Sequence, residues 1–166
     1  MIKRKIKITE DGSTTIELIE FNEHFHSIHG AIQESEHIYI QNGLRQVAKL
    51  QSSVKIFEMG FGSGLNAFLS LLFSIKNNIN IDYLGIEAFP LEMELAKKLN
   101  YPEKLELFGT EYEYFNLLHS CSWNKMMDIN ANFSFEKQKI KLEDKILPID
   151  YFDLVYFDAF NPELQP

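Results

Sequence analysis

Between residues 54 and 87 the chain reads as strand, glycine turn, helix and strand, and this order constrains the fold more than any other feature. Val54-Lys55-Ile56-Phe57-Glu58-Met59 is a short, mostly apolar run. Gly60, Gly62 and Gly64 follow it in the pattern G-F-G-S-G. Residues 65–75 form an apolar stretch of helical length, stopped by Lys76-Asn77-Asn78, and residues 79–87 read as a second strand. Parallel strands need a crossover, and the helix supplies it. The unit is therefore βαβ and predicts an α/β fold on a parallel sheet.

The flanking segments fit around this unit. Residues 5–21 read as a hairpin, with Ile6 and Ile8 alternating with lysines and Asp11-Gly12 at the turn. Residues 21–36 are polar and read as an ordered loop, 38–40 as a short extended piece and 43–50 as a short helix. Residues 90–99 read as a helix with Pro90 in its first turn. Between 101 and 132, Tyr112, Tyr114, Phe115, Leu117 and Leu118 suggest one more helix. Residues 133–142 read as a third strand, closed by Glu143-Asp144, and 151–157 as a buried fourth strand ending at Asp158. The expected layout is an N-terminal hairpin and loop extension over 1–50 and a Rossmann-like domain over 51–166. A sheet of four parallel strands ends on an exposed apolar edge, a liability. The expectation is a sheet incomplete at its C-terminal side, in a chain that is a piece of a longer protein.

Composition narrows the setting. With 45% hydrophobic and 24% charged residues the chain is expected to be globular. No apolar run approaches the roughly 18 residues that span a bilayer, no signal-peptide core follows Met1, and the single cysteine excludes an internal disulfide. These features point to the cytoplasm. The net charge of −8 argues against broad, sequence-independent binding to phosphates. Lys3, Arg4, Lys5 and Lys7 form either a local basic patch or a lysine-bearing strand edge.

Ligands of open α/β sheets bind beyond the carboxyl ends of the strands. Glu58, Glu87, Asp144 and Asp158 are each expected there. A glycine turn lets a ligand approach the backbone, because no Cβ intervenes. A dinucleotide site would receive a pyrophosphate at such a turn, but the carboxylate of Glu58 would repel it and suits a cationic ligand. Glu87, about twenty residues on, stands where acids of nucleoside-binding folds accept from ribose hydroxyls. Asp144, closing the third strand at the same rim, is placed to accept hydrogen bonds from a ligand's amino group. Asp158 is expected nearest the reacting centre, where a carboxylate can orient an ammonium and take its proton. Each also has a plainer reading, as a tight turn or an exposed acid beside one. His24, His26, His29 and His37 lack the helical pairing of a metal site, and no metal is expected.

These residues resemble a known family. His29-Gly30-Ala31-Ile32-Gln33-Glu34-Ser35, then E-M-G-F-G-S-G-L-N, I-E-A-F-P-L around Glu87 and the closing Y-F-D-A-F-N-P are similar to the tRNA 5-aminomethyl-2-thiouridine methyltransferases (MnmD, and the methyltransferase half of bifunctional MnmC). The resemblance runs from about residue 21 to 166. It implies a Rossmann-like enzyme that uses S-adenosylmethionine to convert 5-aminomethyl to 5-methylaminomethyl on the wobble uridine of tRNA. By matching motifs, Glu58, Gly60, Gly62 and Gly64 would hold the methionine end of the cofactor. Glu87 would take the ribose, Asp144 the adenine side, and Asp158 would face the acceptor amine. Glu34 and Phe160 would close over cofactor or substrate. The rival readings are a methyltransferase on another amine, a nicotinamide oxidoreductase, which Glu58 disfavours, and an inactive nucleoside-binding module.

Overall fold

The computed structural model describes residues 3–21 and 23–158. Its centre is a five-stranded sheet in the order β6-β7-β5-β4-β8. The strands are β4 (Ser53–Met59), β5 (Asn80–Glu87), β6 (Met127–Asn130), β7 (Phe133–Lys139) and β8 (Leu154–Phe157). All neighbouring pairs are parallel except the antiparallel pair β6 and β7. This is the expected Rossmann-like fold. Strand order reverses at β4, which has β5 on one side and β8 on the other, so a crevice is expected beyond its carboxyl end.

The hairpin also forms, with β1 (Arg4–Ile8) and β2 (Thr14–Leu18) pairing Ile6 with Ile16, and β3 (Glu23–His24) adding a short third strand. Its turn does more than reverse the chain. Asp11 Oδ2 accepts from the Gln33 amide at 3.2 Å, and Ser13 Oγ accepts from the Ala31 amide at 3.2 Å. The hairpin thereby caps the first turn of α1 (Ala31–Ser35), whose free amides need acceptors.

From α1 the chain continues through a π-helical stretch, Glu36–Leu44, into α2 (Arg45–Val47). This corrects the expectation of a loop to residue 36, an extended piece at 38–40 and a separate helix from 43. The buried positions Ala31, Ser35, Ile40 and Leu44 are spaced four, five and four apart. The wide spacing marks the extra residue of a π turn and breaks the 3.6-residue period on which a helix is recognised.

α3 (Leu65–Asn77) packs against the sheet, the π-helical stretch and α6 (Gly109–Ser120), so nine of its residues are buried. It stops at Asn78, in the left-handed region at φ 52°, a conformation asparagine tolerates. The helix expected over 90–99 shrinks to α4 (Met93–Ala96). Arg4 explains this, because its guanidinium donates to the carbonyls of Phe89 at 2.6 Å and Pro90 at 2.8 Å and holds that segment extended. α5 (Tyr101–Lys104) follows.

Two strand boundaries also differ from expectation. β7 ends at Lys139, so Asp144 does not close it; Asp144 ends a short 3-10 turn, Leu142–Asp144, and is exposed. β8 starts at Leu154, and only Tyr156 in it is buried, while Val155 and Phe157 are 56% and 67% exposed. The expected buried strand is thus buried on one side only.

The core is aromatic where α3 meets α6. Phe68 is fully buried, with its ring 5.2 Å from that of Phe115. Phe68→Ala should cost about 3–5 kcal/mol of stability, read as a lower midpoint in chemical denaturation at an unchanged slope.

Candidate active site

β4 carries Glu58 into the centre of the sheet, where it is completely buried. A buried carboxylate needs donors, and one comes from the first turn of α3. Asn66 Nδ2 donates to Glu58 Oε1 at 3.1 Å and to Asp158 Oδ2 at 2.9 Å. Asp158 follows β8 and is tied to the end of β4 by its own amide, which donates to Met59 O at 3.0 Å. One side-chain amide thus spans the two carboxylates. Glu58 Oε2 and Asn66 Oδ1 are buried acceptors with no hydrogen-bond partner among the described residues. The Tyr83 hydroxyl lies close enough to Glu58 to draw its pKa down but closes no hydrogen bond.

Electrostatics link the group. Burial, then the Asp158 charge, push the Glu58 carboxyl well above the usual range, against Tyr83 and Asn66. Burial pushes Asp158 up to about 6, against hydrogen bonding from Tyr39 and Asn66, with Glu34 and Glu87 adding repulsion. Tyr39 comes from the π-helical stretch; its single hydroxyl proton is shared between Asp158 and Phe157 O, the latter 3.4 Å away, and its ring lies 5.0 Å from that of Tyr156. Glu34 is anchored from α1, where its Oε2 accepts from the Ser27 amide at 2.7 Å.

Glu87 ends β5 and touches the glycine turn directly. Its Oε2 accepts from the Gly62 amide at 2.9 Å and its Oε1 from the Phe89 amide at 2.7 Å. Each oxygen keeps a lone pair for a further donor. Arg4 holds Phe89 from behind, so the hairpin stiffens the loop that supports Glu87.

The turn itself is built on left-handed glycines, with φ of 91° at Gly60, 50° at Gly62 and 73° at Gly64. A Cβ on Gly62 would stand 3.2 Å from Phe25, and one on Gly64 2.9 Å from both His119 and Phe61. The spaces beside these two glycines are therefore used by the protein's own packing. Two histidines, His26 buried and His119 half-buried, grip Ser63 between them. His26 Nε2 is hydrogen-bonded to Ser63 Oγ at 2.7 Å, and His119 Nε2 donates to Ser63 O at 2.9 Å. Burial lowers both imidazoles to about 4 and keeps them neutral near pH 7. Lys137, also buried, donates to the carbonyls of Leu118 and His119 at the end of α6 and fixes that histidine.

Of the residues singled out in the sequence, Glu34, Glu58, Glu87 and Asp158 come together around Gly60, Gly62 and Gly64. Asp144 stands on its exposed turn and is not among the principal charges acting on Glu58 or Asp158. Phe160 lies outside the described residues. Sequence reasoning missed Tyr39, Asn66 and His119, and read His26 as a polar loop residue or a substrate contact. Asn66 left a signal, since it and Ser70 are polar residues four apart in an apolar helix. The histidines left none, because their partner, Ser63, stands 37 and 56 residues away in sequence. Among the described residues no three His, Cys, Asp or Glu side chains group as metal ligands would. An open groove of about 1000 Å³ at the α5–α6 turn, lined by Glu103, Phe108 and Glu113 among others, shares no residue with this cluster.

No protein-family model matches the chain. It is similar to the tRNA 5-methylaminomethyl-2-thiouridine biosynthesis bifunctional protein MnmC of Campylobacter hominis, 33% identical in an alignment that covers 89% of this chain and 22% of that protein. The MnmC of Leptospira interrogans is 24% identical, with 89% of this chain and 24% of the relative covered. The chain thus spans about a quarter of the length of the curated relatives it matches. Among solved structures, MNMC2 from Aquifex aeolicus superposes with a TM-score of 0.72 at 23% identity, over 98% of this chain and 51% of that one. Across nearly nine-tenths of its length this chain is similar to a part of the MnmC proteins, the family its motifs resemble.

Proposed function

We propose that this chain is an S-adenosylmethionine-dependent methyltransferase that converts the 5-aminomethyl group of the tRNA wobble 2-thiouridine to 5-methylaminomethyl, acting in the cytoplasm. The observation that carries the reading is the gathering of Glu34, Glu58, Glu87 and Asp158 around the glycine turn. None of the four forms an ion pair with a described residue. Uncompensated carboxylates attract a cation. The donor carries two positive centres, a sulfonium and an ammonium, and the acceptor amine is a third when protonated. The buried, unpartnered Glu58 Oε2 is the kind of acceptor an ammonium group would satisfy. The relatives' part in 5-methylaminomethyl-2-thiouridine biosynthesis supports the choice of acceptor.

In this reading Glu58 binds the ammonium of the donor and Glu87 uses its spare lone pairs on the ribose hydroxyls. The turn of Gly60, Gly62 and Gly64 supports the methionine end. Asp144, by the family resemblance, serves the adenine side, while Glu34 and Phe160 border the acceptor. The donor supplies a sulfonium-bound methyl group, with S-adenosylhomocysteine as the leaving product. Asp158 orients the acceptor amine and takes its proton, so the nitrogen lone pair is free to attack in line. Burial raises the basicity of Asp158, which suits it to accept a proton near neutral pH. No covalent intermediate with the protein is needed, and Cys121 has no part.

The direct test is incubation with tRNA bearing 5-aminomethyl-2-thiouridine, followed by mass spectrometry of the nucleosides. A gain of one methyl group on that nucleoside is expected. Intact donor binding with the nucleoside unchanged would shift the assignment to another amine. Asp158→Asn should lower kcat on the order of 10²-fold or more while donor affinity stays within a few-fold, measured by calorimetry. For the unaltered protein, kcat should fall as pH drops through about 6, because protonated Asp158 can no longer accept. Gly64→Ala strains a left-handed position and crowds His119. At roughly 1–3 kcal/mol of strain, donor binding should weaken by about tenfold or more, and the melting temperature should drop with it.

A further inference from the structure

We propose that Asn66 is a positioning residue that joins Glu58 and Asp158 into one proton-sharing unit, from which a proton leaves when a ligand's ammonium group arrives. The inference rests on the donor reading above only for its second half. The geometry of the first half is local. A single Nδ2 group donates to both carboxylates, at 3.1 and 2.9 Å, from the first turn of α3. Its own carbonyl oxygen and the far oxygen of Glu58 are buried without partners.

Two carboxylates this close, Glu58 fully buried and Asp158 half-buried, cannot both ionise freely, because each raises the cost of charging the other. Among the described residues Asp158 is faced by Glu34 from α1, Tyr39 from the π-helical stretch, Glu58 from β4, Asn66 from α3, Tyr83 and Glu87 from β5 and Tyr101 from α5. Three of these are acids and none is a base. The shared amide offsets part of the repulsion, and a proton held by Glu58 offsets the rest. An incoming ammonium brings its own positive charge and N–H donors to Glu58 Oε2. The proton on Glu58 then becomes superfluous and passes to solvent. Charge balances, since one positive charge enters and one proton leaves. Asn66 thus leaves Asp158 ionised for the acceptor while Glu58 carries the exchange.

Carboxyl-carbon NMR of the ligand-free protein, followed against pH, reads the first half directly. The Glu58 and Asp158 signals should titrate together, each in two steps. In Asn66→Ala both should move up by about one pH unit, having lost a shared donor. Glu58→Gln should leave Asp158 with a single step at lower pH, which keeps the test available if Asn66→Ala does not fold. Single, independent steps in the unaltered protein, or an Asp158 titration indifferent to Glu58→Gln, overturn the proposal. The second half is read by calorimetry with S-adenosylmethionine near pH 7, in buffers of different protonation enthalpy. Release of about one proton per site is expected. Binding heats independent of buffer sink that half. Coupled titration in the free protein with no donor binding at all would instead count against the methyltransferase reading and leave the proton-sharing pair standing.

Discussion

The structure turns on one costly placement, a carboxylate in the middle of a hydrophobic sheet. Glu58 sits between apolar neighbours on β4, wholly removed from water. A charge in such a position is tolerated only with donors or a proton. The surroundings answer this need in part. Asn66 supplies one donor, Tyr83 stands by, and Gly85 on the neighbouring strand leaves room, since a Cβ there would stand 3.5 Å from Glu58 Oε2. What the protein leaves unsatisfied is acceptor capacity at the mouth of a topological switch point. A fold that spends stability in this way marks the place where a positively charged ligand repays it.

Around that centre the N-terminal hairpin acts as scaffolding for the sheet. Arg4 holds the loop behind Glu87, Asn100 ties the Gly12 turn to the chain before α5, and His26 reaches Ser63 beneath the glycines. These contacts span 37 to 88 residues of sequence. They make the extension part of the site's rigidity and explain how a turn of left-handed glycines keeps one shape.

The legible part of the molecule was the part governed by short-range pattern. β4, α3 and β5 follow from an apolar run, a helix-length apolar stretch and a glycine turn, and their boundaries agree with the structure to within two residues. Glu58 and Glu87 were readable because they end those strands. Long-range effects were not readable. The start of α1 is capped by Asp11 and Ser13, about twenty residues upstream, so no local capping signal exists. β6 is a four-residue antiparallel addition with a bulge, too short to show alternation. Asp144 was misplaced because the alternating pattern runs past Lys139 into a turn. Tyr39 was hidden inside a helix whose spacing matches no common template.

That unusual helix has a consequence for how the site tolerates change. A π turn carries one residue more than an α turn, and the surplus in Glu36–Leu44 sets the angle at which Tyr39 meets Asp158. Removing a single residue between Ser35 and Tyr39 would let the segment relax into ordinary α-helix. The Ser35-to-Ile40 step would then be four residues, so the buried face beyond the deletion would stay in phase and the displacement would fall inside the former wide turn, where Tyr39 would lose the setting that brings its hydroxyl to Asp158. Length here is therefore under tighter restraint than identity, so drift among neighbouring side chains is easier to absorb than the loss of one link of backbone.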